Sequence, residues 1–173
     1  MSKPAILVID LQNDYFPGGA FPLSNTDATL STIEHVISKA HSKGIPVIHV
    51  QHIADPKQGI APFFNLGTSG AEIHARIMAA APNAPIVVKH FADSFEQTCL
   101  HETLQKLGVN ELIICGMMTQ NCVTHTALSR QADQYKKVTV LKDASTTVSD
   151  MLHAIALHAL STRVILAQAD QVL

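Results

Sequence analysis

Short apolar runs recur along the chain, separated by stretches whose apolar residues return every three or four positions. The first run, residues 4–9 (PAILVI), is rich in branched side chains and stops at Asp10. Similar runs occupy residues 46–50, 85–88, 111–115, 137–141 and 163–166. Near-continuous apolar runs of this length read as strands buried on both faces. Between them, residues 27–42 place Leu30, Ile33, Val36, Ile37 and Ala40 on one helical face, with Asn25 or Thr26 as the cap and Gly44 as the stop. Further helical patterns cover residues 71–80, 95–107, 122–133 and 150–160. Residues 12–25 and 51–70 are rich in Gly and Pro and read as loops, the second long enough to act as a lid.

Strands and helices therefore alternate from end to end. That order predicts a three-layer, Rossmann-like α/β fold, with a six-stranded parallel sheet and helices on both faces. No break in composition divides residues 1–173, so one domain is expected.

Composition narrows the function. Apolar residues make up 47% and charged residues 15%, which excludes a disordered chain. The net charge is −2 and no basic stripe is visible, so nucleic acid is not an expected partner. No apolar run reaches the length of a membrane span, and the first residues enter a strand pattern without a cleavable leader. Three cysteines, at 99, 115 and 122, are too few and too odd for a disulfide framework. They point to reduced thiols and a cytoplasmic setting.

Ligands of open parallel sheets bind beyond the carboxyl ends of the strands. Asp10 follows the first strand, Lys89 the third, and the turn to Cys122 the fourth. An acid, an amine and a thiol thus share one predicted sheet edge. Cys122 opens a predicted helix, where free N–H groups and the helix dipole would favour a thiolate and could receive an oxyanion. Lys89 would favour the thiolate too, and Asp10 could take the thiol proton and return it to a leaving group. Cys115 and Cys99 read as packed thiols.

Of the ten histidines, His49 and His52 lie three apart in an extended segment and so point to opposite faces, which argues against a metal site. His90 adjoins Lys89, and His125 lies about one turn beyond Cys122. Phe16, Phe64 and Phe91 fall in loops over the same edge and, with His125, are candidate walls of a substrate pocket.

These residues resemble the signatures of the isochorismatase-like cysteine hydrolases. Asp10-Leu11-Gln12-Asn13-Asp14 with Phe16, Gly18 and Gly19 is similar to the first. Lys89 with residues 90–95, Thr98 and Leu100 is similar to the second. Residues 116–123, with Thr126 and Ala127, are similar to the third, and Asp143-Ala144 to the closing element. The resemblance spans nearly the whole chain. It implies a catalytic triad of Asp10, Lys89 and Cys122, a cis peptide between Met117 and Met118, and an oxyanion hole from the Met118 and Cys122 N–H groups. It also implies a homo-oligomer, dimer or tetramer, acting on a small-molecule substrate.

The family includes nicotinamidases, N-carbamoyl and ureido amide hydrolases, and isochorismatases. Its nicotinamidases hold zinc on an Asp-x-His and a further His after the second strand. Here that segment reads Gln51-His52-Ile53-Ala54-Asp55-Pro56, so neither metal nor cofactor is expected. The intact thiol favours cleavage of an amide, carbamoyl or ureido C–N bond through a thioester. Two alternatives stay open: vinyl ether hydrolysis with Asp10 as the acid, and a catalytically silent binding protein on the same fold.

Overall fold

A computed structural model describes residues 1–173. The apolar runs form six strands: β1 (Pro4–Ile9), β2 (Val47–His52), β3 (Ile86–Lys89), β4 (Glu111–Met117), β5 (Lys137–Thr146) and β6 (Ile165–Ala167). All pair in parallel, in the order β3-β2-β1-β4-β5-β6. The order reverses at β1 and β4, which makes the gap at their carboxyl ends the topological switch point.

Six helices cover the sheet: α1 (Thr26–Ser42), α2 (Ala75–Ala80), α3 (Leu100–Lys106), α4 (Thr124–Ala127), α5 (Asp150–Leu160) and α6 (Ala169–Val172). Leu30, Ile33, Val36 and Ile37 of α1 and Ile77 of α2 pack with Ile6, Val8 and Ile113 on one face. Leu100 and Leu104 of α3 and Leu160 of α5 pack with Leu7, Ile9, Ile48 and Val87 on the other. Each such fully buried aliphatic side chain stabilises the fold by about 1.5–3 kcal/mol.

Several boundaries differ from the sequence reading. β2 runs on to His52, because polar residues past its apolar run pair with β3. The helix expected at 71–80 starts at Ala75. Its first carbonyl, on Ala71, instead accepts from the side chains of Gln12 and Gln51. The continuous helix expected over 122–133 is broken into a π-helical turn at Thr119–Val123, the short α4, and a 3-10 turn at Ala132–Gln134. Two hydroxyls tie this segment down. Thr124 Oγ1 donates to the Thr119 carbonyl at 2.6 Å, and Thr126 Oγ1 pairs with Ser94. No helix is long and apolar enough to cross a membrane.

Candidate active site

The site forms where three strand ends meet. β1 ends at Asp10, whose φ of 55° is left-handed, a conformation that Asp tolerates better than most residues. Gly116 of β4 lies beside Ile9 in register, with a φ of 128°. A Cβ there would overlap the Ile9 backbone, so only glycine lets the two strands close at the switch point. The Met117–Met118 peptide is cis, and the π-helical turn that follows carries Cys122.

Lys89, on the edge strand β3, reaches into this gap. Its Nζ is 3.0 Å from Asp10 Oδ2 and 3.1 Å from Cys122 Sγ, and it donates to the Phe91 carbonyl at 3.1 Å. Asp10 and Lys89 are fully buried and Cys122 is 1% exposed. Asp10 Oδ1 is buried without a hydrogen-bond partner. The three residues expected to act together are therefore in contact.

Not every influence on Cys122 favours the thiolate. Burial is the main effect on Cys122, followed by the Asp10 carboxylate, and both push the thiol up; the Lys89 ammonium pulls it down by less. Cys122 does not open a helix: it lies within the π-helical turn Thr119–Val123, which runs on into α4. Burial and the Asp10 carboxylate favour the protonated thiol, and Lys89 opposes them. Burial also works against the ammonium of Lys89, but Asp10 and Cys122 outweigh it, and Lys89 is held above its usual value.

The sequence reading missed two residues of this cluster. His52 Nδ1 is 2.9 Å from Lys89 Nζ. His49, as expected, faces the other way, with Nε2 3.1 Å from the Ala81 carbonyl. The signal for His52 was register: it is the β2 partner of Lys89. Tyr15 is also buried close by, its hydroxyl pushed up by burial first and then by the Asp10 carboxylate.

The candidate pocket residues are more dispersed. Phe64 is buried, with φ 62°, its N–H bonded to Asp14 Oδ2 at 2.7 Å and its ring 5.8 Å from that of His52. Phe16 packs on His74 beside a cavity of about 370 Å³ lined by Asn13, Gly18 and Gly70. Phe91 is 42% exposed. His125 is exposed and its Nδ1 pairs with the Asn121 carbonyl. His90 bonds the Ile53 carbonyl. Cys115 is packed as expected, whereas Cys99 is exposed at the start of α3.

The Isochorismatase domain family matches residues 4–170. The chain belongs to the isochorismatase family. It is 39% identical over 145 residues to the isochorismatase family protein YddQ of Bacillus subtilis, covering 84% of this chain and 78% of that one. It is 28% identical to the nicotinamidase of Escherichia coli, covering 89% and 90%. A structure assigned to an isochorismatase hydrolase from Oleispira antarctica superposes with a TM-score of 0.86 at 34% identity, covering 98% and 95%.

A zinc ion of the kind the nicotinamidase branch holds would need ligands among these residues. Asp10, His52 and Cys122 offer three ligand atoms within 4.8 Å of one another. Lys89 Nζ lies within 3.1 Å of all three, so an ammonium already holds the position a cation would take. Gln51, next to His52, is neutral and turns its amide to the Ala71 carbonyl. These residues do not fit a resident metal ion.

Proposed function

We propose that this isochorismatase-family hydrolase is a cysteine amidohydrolase acting on a small amide, carbamoyl or ureido C–N bond. One observation carries the reading: the Lys89 ammonium bridges Asp10 Oδ2 and Cys122 Sγ while Asp10 Oδ1 is unpartnered. That free oxygen is the base. When substrate docks, Asp10 takes the thiol proton and the sulfur attacks the carbonyl carbon. The N–H groups of Met118 and Cys122 receive the oxyanion. Asp10 returns the proton to the departing nitrogen as the C–N bond breaks, leaving a thioester on Cys122. Asp10 then takes a proton from water, which attacks the thioester, and the sulfur leaves as the thiol. Lys89 holds Asp10 ionised and balances the charge on sulfur. The similarity to a nicotinamidase supports an amide substrate.

The same reading carries a cytoplasmic setting, supported by three free thiols, and a homo-oligomer. The free edge at β3 supports the latter, with Ile86 and Val88 both exposed.

The test is ammonia release from a panel containing nicotinamide, maleamate, N-carbamoyl amino acids and ureidoglycolate. Turnover that vanishes in Cys122→Ala and Asp10→Asn supports the reading. Isochorismate cleavage that survives in Cys122→Ala would instead support an acid-only reaction. A silent binding protein draws support from the burial of Cys122, and it predicts binding of panel members without any release.

A further inference from the structure

Lys89 belongs to the edge strand β3, whereas its carboxylate partner ends β1, and β2 lies between them. Neighbouring strands stand about 4.8 Å apart. The lysine stem must therefore cross the end of β2 to reach Asp10. The residue at that end is His52, the register partner of Lys89, and its Nδ1 lies 2.9 Å from Nζ.

An ammonium has three N–H donors. Four acceptors surround this one: Asp10 Oδ2 at 3.0 Å, His52 Nδ1 at 2.9 Å, the Phe91 carbonyl at 3.1 Å and Cys122 Sγ at 3.1 Å. A neutral thiol is a weak acceptor. In the resting site the three protons go to Asp10, His52 and Phe91.

We propose that His52 is a positioning residue of this site, a neutral imidazole with its proton on Nε2 that holds the Lys89 ammonium across β2, within reach of both Asp10 and Cys122. The backbone of His52 is clamped for this purpose. Gln12 Oε1 accepts from its N–H at 2.8 Å, and Gln12 Nε2 donates to its carbonyl at 2.7 Å. Gln12 is fully buried and also donates to the Ala71 carbonyl at 2.8 Å, so it cannot swing away cheaply. Burial and the facing ammonium keep the imidazole uncharged.

The choice of histidine follows from charge. A carboxylate at this position would add a second anion beside Asp10 and hold the ammonium away from sulfur. A neutral acceptor gives up its N–H when the thiol loses its proton and sulfur becomes the stronger partner. The ammonium then serves the thiolate without moving.

The test has a structural arm and a kinetic arm, and the kinetic arm rests on the amidohydrolase reading. Imidazole ¹⁵N NMR of the whole protein at pH 7 should show His52 as the Nε2–H tautomer. His52→Leu should expose the Lys89 ¹⁵Nζ signal to faster proton exchange. On an amide that the wild type cleaves, His52→Leu should lose kcat roughly tenfold to a hundredfold with KM changed by less than about twofold, the loss expected for one hydrogen bond to a charged group. His52→Asn, which keeps an acceptor near the Nδ1 position, should recover most of it. An Nδ1–H tautomer overturns the proposal, as does wild-type behaviour of Lys89 and kcat in His52→Leu, or equal loss in both variants. If the wild type cleaves no amide, the amidohydrolase reading falls, and the NMR arm still decides the role of His52.

Discussion

Lys89 Nζ lies 3.0 Å from Asp10 Oδ2, and both side chains are wholly removed from solvent. Removing one member of a buried pair leaves the other charged and unpaired, which typically costs about 3–5 kcal/mol. Lys89→Met should therefore destabilise the protein by about that amount in urea unfolding. Asp10→Asn keeps a hydrogen-bond acceptor for the ammonium and should cost less. Equal stability of Lys89→Met and the wild type would mean that the pair does not form.

Gly116 makes the switch point possible. Its φ of 128° and the Ile9 backbone against it leave no room for a methyl group. Gly116→Ala should push β4 from β1 and destabilise the fold by about 1–3 kcal/mol from backbone strain alone. It should also reduce turnover by separating Cys122 from Asp10. Chemical denaturation and ammonia release on the same preparation check both.

The three thiols should react with iodoacetamide in an order set by burial. Cys99 is exposed and should label first. Cys115 is fully buried and its thiol is pushed up to about 12, so it should label only on unfolding. Cys122, 1% exposed and with its thiol pushed up by burial, should label more slowly than Cys99 at pH 7. Peptide mass spectrometry over time reads the order. Fastest labelling at Cys122 would show an open, ionised site.

The reach of the sequence is clearest at this thiol. Alternation of apolar runs and helical patterns was enough to predict a six-stranded parallel sheet, and each strand end then marked its own residue: Asp10, Lys89, the turn to Cys122. The electrostatics were not legible, because they depend on how much water reaches the sulfur. Proximity of Lys89 argued for a thiolate, but burial outweighs it. The place of His52 beside Lys89 was hidden for a related reason. The apolar run of the second strand ends at Val50, and only the pairing of His52 with Lys89 reveals that the strand continues into the site. The 122–133 pattern does not run as one α-helix: a π-helical turn holds Cys122, α4 stops at Ala127, and a 3-10 turn follows at Ala132–Gln134.

Acid should unfold the protein in a window that His52 defines. Burial, then the charge of Lys89, pushes His52 down to about 4, with Asp10 opposing and His90 adding slightly. The unfolded chain binds a proton at about 6.5, which the folded site refuses until about pH 4. Stability contributed by neutral His52 is thus full above about pH 6.5 and is lost as pH falls towards 4, by up to about 3 kcal/mol. His52→Leu should flatten this part of the stability–pH curve. An unchanged curve in that variant would assign the acid sensitivity to other groups.

A covalent acyl-enzyme on Cys122 is open to direct measurement: rapid acid quenching during turnover of the amide that the wild type cleaves fastest, followed by mass spectrometry of the peptide containing residue 122. A transient acyl mass is expected on Cys122, labile to hydroxylamine, with both adduct and turnover missing in Cys122→Ala. Wild-type turnover in Cys122→Ala, with no adduct on the native thiol, would contradict it.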